Sequence, residues 1–288
     1  MSELTDGVVV ANPGGITWMI HQAATFARHD ELAAYISPAA IAQAHLDELE
    51  RRLPAALAGP LSGQLSLRAV PPVVPAQKVR RAVTPTEVAY VLSRRLGWPE
   101  RAVKALVKRE SLGFDRAVSR RLTRPGRPAA VIGYQSNAVS TFRAAARHGI
   151  LRVLDYPIAH FETLEQVLSE EARLVPAYAG TMQTGYEPWK RRRYAEEIAT
   201  ADGIIMLSRY QQSTFEAAGV DPKRLFIAPL GVDLERFTPR AEPAEDRFRV
   251  IFCGQITQRK GISYLVEGFK RAGLPNAELL FVGMLIGG

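Results

Sequence analysis

The residues Gly254-Gln255-Ile256-Thr257-Gln258-Arg259-Lys260-Gly261 join a strand-like run to a helix-like run, and their types suit the binding of an anion. Gly254 permits a tight turn. Arg259 and Lys260 supply cationic donors, and the helix that follows should offer N–H groups and a partial positive charge at its start. A diphosphate is the natural ligand of such a turn. The same residues can equally form an ordinary strand-to-helix connection carrying two solvated basic side chains. Two further places hold candidate chemistry. Gly14 and Gly15 follow the first strand, in a turn before a helix where glycine permits close backbone approach. His160, in Asp155-Tyr-Pro-Ile-Ala-His160-Phe-Glu162, follows a strand end and could donate to a hydroxyl or simply occupy a loop.

The elements that must position these residues are legible from periodicity. Phe248–Cys253 reads as a buried parallel strand, with the lone cysteine, Cys253, as a buried small hydrophobe. Ile262, Leu265, Val266 and Phe269 keep helical spacing, and Leu279–Val282 is a second strand, so the unit is βαβ. Upstream, strands are expected at Gly7–Ala11, Leu32–Ile36, Leu65–Val70, Ala129–Gly133, Leu151–Leu154, Gly203–Leu207 and Leu225–Ala228. Helices are expected from Ile16 to Ala27, Ile41 to Leu57, Ala138 to His148, Phe161 to Arg173 and Tyr194 to Thr200. One more follows Ser208 as its cap and ends at Gly219. The alternation predicts a doubly wound parallel α/β sheet. Residues 1–230 form a first Rossmann-like domain, 231–247 a linker, and 248–288 the start of a second.

Composition narrows the class further. The 288 residues are ordinary for a soluble globular protein and suggest about two domains. One cysteine excludes disulfides within the chain and a cysteine-based zinc site. No apolar run approaches the roughly 18 residues of a membrane span, and Glu3 and Asp6 do not fit the basic start of a signal peptide. A cytoplasmic location fits. The net charge of +8 is uneven: Lys78 to Arg127 holds fourteen basic and four acidic side chains, a net +10. This stretch, read as mostly helical with breaks at Gly97-Trp98-Pro99 and Gly113, is either a solvated face or a patch for an anionic membrane surface. Nucleic acid is disfavoured, since only Tyr90, Trp98 and Phe114 could stack bases. No Gly-x-Gly-x-x-Gly follows the first strand, which argues against a dehydrogenase.

The stretch Ala201-Asp202-Gly-Ile-Ile-Met-Leu-Ser208, then Gly219-Val, then Ile227-Ala-Pro229-Leu-Gly231-Val-Asp233 and Phe237-Thr-Pro239, resembles family 4 (group 1) glycosyltransferases of the GT-B fold. Gly254–Gly261, Tyr264-Leu265 and Glu278-Leu-Leu-Phe-Val-Gly283 continue the resemblance in order. The resemblance implies an acceptor-binding first domain, a nucleotide-sugar-binding second domain and transfer that retains configuration without a metal or other cofactor. Lys260 matches the donor-phosphate lysine, with Arg259, Gly254 and Gln255 beside it. Gln255 departs from the basic residue often found there. Gly14 and Gly15 match the loop facing acceptor or phosphate, and His160 the active-site histidine. The implied partners are a nucleotide-sugar donor and a glycan or lipid-linked acceptor, with possible attachment to the inner membrane face through Lys78–Arg127.

The family places a pair of glutamates, seven residues apart, well downstream of the lysine, and this sequence does not reach them. The expectation is a parent cut within its second domain, and a 288-residue chain that is inactive alone. Two alternatives stay open: a GT-B nucleotide-sugar epimerase, and a non-catalytic basic module for anionic lipid or nucleic acid.

Overall fold

The computed structural model describes residues 6–38, 40–43, 47, 48, 51, 69–82, 89, 98–123, 126–235, 237–239 and 247–285. Seven parallel strands form one sheet: β1 Val8–Ala11, β2 Leu32–Ser37, β5 Val79–Arg81, β6 Ala130–Tyr134, β7 Leu151–Asp155, β8 Gly203–Met206 and β9 Leu225–Ile227. Their order is β5-β2-β1-β6-β7-β8-β9. A short pair, β3 Ile41–Ala42 and β4 Ala69–Val70, lies apart.

Side chains of β1 alternate between two cores, as a strand buried on both faces requires. Val10 joins Met19, Ile20 and Ala23 of helix α1 (Thr17–Arg28). Val9 and Ala11 join the other core. That core holds Phe114 and Val118 of α2 (Glu100–Leu122) and Phe142 of α3 (Val139–Arg147). It also holds Phe161 of α4 (Phe161–Leu174), Tyr194 and Ile198 of α5 (Pro188–Thr200) and Phe215 of α6 (Arg209–Ala217). The expected helix start at Ser208 and stop at Gly219 are present. Ser208 Oγ accepts from the Gln211 N–H at 3.2 Å, and Gly219 follows the helix at φ +82°.

Several expectations fail. The basic stretch is not broken at Gly113: α2 runs through it. Burial of Phe114, Asp115 and Val118 on one face outweighs the roughly 1 kcal/mol that an interior glycine costs. Part of the same stretch, Val79–Arg81, is strand. Ile41–Ala42 is also strand rather than helix, and most of the helix expected to Leu57 lies outside the described residues, as do Leu65 to Arg68.

Beyond Ile227, the second unit consists of β10 (Phe248–Cys253), α7 (Ile262–Ala272) and β11 (Ala277–Val282), with the two strands parallel in a separate sheet. Cys253 is exposed, not buried. It shares a face with Ile251, Leu280 and Val282, all more than 40% exposed. The opposite face carries the half-buried Val250, Phe252, Leu279 and Phe281. A two-stranded sheet with one helix leaves one face without a layer among the described residues.

Candidate functional site

In an open parallel sheet, ligands bind outside the carboxyl ends of the strands where the strand order reverses. Here that point lies between β1 and β6, because β2 and β5 lie to one side of β1 and β6 to β9 to the other. Two loops meet there, Asn12–Ile16 and Gln135–Ala138. Asn12 is buried and shapes the first loop. Its Oδ1 accepts from Gly14 N at 2.9 Å, and its Nδ2 donates to Ile16 O and to the Tyr35 hydroxyl, both at 2.9 Å. Gly14 and Gly15 have φ +125° and +69°, values that side chains rarely tolerate.

The second loop carries Ser136 at φ +64°, uncommon for a non-glycine residue. The strain is held from beneath by a buried charged network. Glu197 accepts from Ser136 N at 2.6 Å and Ala138 N at 2.9 Å. Arg193 Nε and Ser111 Oγ both donate to Ser136 O at 2.8 Å. Arg193 also pairs with Asp115 at 2.6 Å, and Asp115 in turn accepts from the N–H groups of Ser140 and Thr141 at the start of α3, each at 2.8 Å. Burial pushes the Glu197 carboxyl up to about 8, while the two N–H donors and Arg193 pull it back. Strained backbone gripped on both its N–H and its carbonyl is a hallmark of a functional loop.

Above this loop is a cavity of about 240 Å³, lined by Gly14, Glu110, Ser136, Asn137, Trp189 and Lys190 among others. Burial pulls the Lys190 ammonium below its ordinary range. No carboxylate lies within ion-pair distance of it among the described residues, and its Nζ sits 5.9 Å from the centre of the Tyr186 ring. Tyr186 in turn lines a second cavity, of about 450 Å³. The Tyr186–Lys190 segment therefore separates two adjacent cavities. One wall of the second comes from the first unit, through Ile158, Leu168, Thr181 and Gln183. The other wall comes from Gln255, Thr257 and Arg259 of the Gly254–Gly261 loop.

That loop is bent by close backbone approach. Gly254 N donates to Val282 O at 2.9 Å and Ile256 N to Met284 O at 2.9 Å. A Cβ on Gly283, at φ +149°, would fall 1.8 Å from Gly254 O. Gly261 starts α7 at φ +73°. One N–H of the helix start is already used, because Gln258 Oε1 accepts from Ser263 N at 3.1 Å. Thr257 is 6% exposed, and its Oγ1 is buried with no hydrogen-bond partner among the described residues. An unsatisfied buried hydroxyl beside a cavity calls for a ligand atom or water.

The candidate residues thus fall into separate places. Gln255 and Arg259 line the larger cavity. Lys260 is exposed on the short turn Gln258–Lys260, next to them but not among the lining residues. Gly14 lines the smaller cavity. His160 lines neither: it precedes α4, its N–H donates to Thr214 Oγ1 at 3.0 Å, and its ring lies edge-on to Phe215 at 5.2 Å. Burial lowers its basicity against the pull of Glu162, and Nδ1 is buried without a partner among the described residues. Glu171, on α4, accepts from Gln258 Nε2 at 2.6 Å and the Tyr264 hydroxyl at 3.1 Å. The exposed side of α2 carries Arg101, Lys104, Lys108, Arg109, Arg116 and Arg120. No helix among the described residues is long and apolar enough to cross a membrane.

No family model matches the chain. Two curated relatives match about a third of it. A D-inositol 3-phosphate glycosyltransferase of Pseudarthrobacter chlorophenolicus is 36% identical over 100 residues, which is 30% of this chain and 23% of the relative. Another of that name, from Geodermatophilus obscurus, is 31% identical over 102 residues, 31% of this chain and 23% of the relative. The matched stretch thus spans less than a quarter of the length of either relative. Among solved structures, a UDP-glucosyltransferase from Polygonum tinctorium aligns over 98% of this chain and 72% of its own length, at 12% identity and a TM-score of 0.42. A UDP-N-acetylglucosamine 2-epimerase, described as putative, from Listeria monocytogenes aligns over 98% and 63%, at 11% identity and a TM-score of 0.40. Likeness of that degree bears on no function.

Proposed function

We propose that the chain is the acceptor-side domain and donor-phosphate loop of a GT-B-type glycosyltransferase. The observation that carries this reading is the larger cavity, where a cation (Arg259), an amide (Gln255) and the unsatisfied buried hydroxyl of Thr257 face the first unit across a gap. The matches to two curated glycosyltransferases support it. In glycosyl transfer the sugar–phosphate bond breaks and negative charge grows on the departing diphosphate. Donors already fixed where that charge develops are the main electrostatic aid. Arg259 and Lys260 would meet the diphosphate, and Thr257 would donate to one of its oxygens. The acceptor would enter the smaller cavity, with Trp189 as an apolar platform and Asn137, Ser136 and Lys190 as polar contacts. His160 fits a positioning part behind this junction better than a proton carrier, since it lines neither cavity. Retention of configuration and independence from metal follow the family resemblance and belong to the same proposal. So does attachment to anionic lipid through the basic face of α2, which equal binding to neutral and anionic vesicles at low salt would refute.

Calorimetric titration with UDP, GDP and ADP tests the reading. One diphosphate should bind, and Lys260→Ala and Arg259→Ala should each weaken it about tenfold, as loss of a charge-assisted contact does. Absence of binding by all three, or binding unaffected by both variants, contradicts it. An epimerase would bind UDP equally well. The epimerase reading is favoured if Trp189→Ala leaves turnover of a nucleotide sugar by the complete protein unchanged, because that enzyme needs no acceptor.

A further inference from the structure

The Gly254–Gly261 loop is held within its own unit by backbone bonds from Gly254 and Ile256, and across the gap by two hydrogen bonds from Gln258. Glu171, on the last turns of α4, accepts from two residues of the second unit, one with each oxygen: Gln258 Nε2 at 2.6 Å and the Tyr264 hydroxyl at 3.1 Å. Gln258 N donates to Thr181 Oγ1 at 3.0 Å, and Thr181 belongs to the 3-10 turn Pro176–Thr181 that follows α4. Gln258 itself is 2% exposed, whereas the Tyr264 bond to Glu171 lies at the surface. The other atoms of Gln258 reach inward. Nε2 also donates to Ser263 Oγ at 2.7 Å, and Oε1 accepts from Ser263 N, which ties the first turn of α7 to the same side chain. One carboxylate thereby fixes Gln258, and Gln258 fixes both the loop and the helix start.

The neighbours of Gln258 point at the cavity. Thr257 and Arg259 line it directly on either side. Rotation of Gln258 would carry both away from the position a diphosphate would take. We propose that Glu171 is a positioning residue that clamps the Gly254–Gly261 loop to the first unit and so sets the geometry of the anion site from the opposite wall. The proposal deepens the donor-site reading and rests on it for the identity of the ligand. The clamp itself rests only on the contacts. A hydrogen bond to a charged carboxylate is stronger than one between neutral groups. Glutamine at position 171 would keep one acceptor oxygen and lose the charge, whereas alanine would lose both. Neighbouring Glu170 is exposed and contacts neither Gln258 nor Tyr264, so it serves as the control.

Amide hydrogen exchange across residues 256–264 without nucleotide, together with UDP titration, tests the clamp in Glu171→Ala, Glu171→Gln and Glu170→Ala. Exchange in that segment should rise by roughly tenfold in Glu171→Ala and by less in Glu171→Gln, with no change in Glu170→Ala. UDP affinity should fall in the same order, while the melting temperature stays near that of the parent. Unchanged exchange in Glu171→Ala, or an equal rise in Glu170→Ala, overturns the clamp. If exchange responds as expected but the parent chain binds no UDP, the clamp stands and the donor-site reading falls.

Discussion

The two loop regions that frame the cavities are held in different ways. The switch-point loops at Asn12–Ile16 and Gln135–Ala138 rest on buried groups of their own domain, namely Asn12, Asp115, Arg193 and Glu197. The Gly254–Gly261 loop rests on backbone contact with Gly283 and on hydrogen bonds from α4 and its following turn. The first site is therefore built before any ligand arrives. The second is shaped partly by its own unit and partly by contacts from the first.

The largest effect should come from the first region. Arg193→Ala would strand the buried Asp115 carboxylate without its cation, which costs about 3–5 kcal/mol. Chemical denaturation should show it, and a loss below about 1 kcal/mol would mean that the network does not hold the loops. In the second region, Gly283→Ala forces Gly254 aside and should remove UDP binding while global stability falls by about 1–3 kcal/mol. Retained affinity would show that the close approach is not needed for the site. The smallest effect, taken per pH unit, is a slope. The folded state holds a proton on Glu197 up to about pH 8, whereas the unfolded chain releases it near 4.5. Stability therefore falls as pH rises from about 5 to 8, by at most about 1.4 kcal/mol per pH unit. Glu197→Gln should flatten that slope, whatever its effect at pH 5. An unchanged slope would place the titration elsewhere.

What could be read from the sequence follows the same division. The parallel sheet was legible because its strands and helices carry local periodicity, as at Gly203–Met206, Ser208 and Gly219. The loop at Gly254–Gly261 was legible from residue type. The path of α2 through Gly113 was not, because tertiary burial overrode a local propensity. Cys253 misled for a related reason: an apolar strand signals a buried face only if a second layer covers it. The Asp115–Arg193–Glu197 network joins residues 78 positions apart in the chain, and Glu171 meets Gln258 across 87. No spacing rule reports such pairs. A weak sign was available for Asn12, since Asn-Pro-Gly-Gly is turn chemistry in which the asparagine side chain bonds the backbone two residues on.

The central claim is that the donor diphosphate binds the Gly254–Gly261 loop and not the switch-point loops. Hydrogen exchange with and without saturating UDP tests it in one experiment. Protection should appear at residues 254–263 and at Thr181–Tyr186 across the gap, with residues 12–16 and 135–138 unchanged. Protection confined to residues 12–16 and 135–138 would contradict the account.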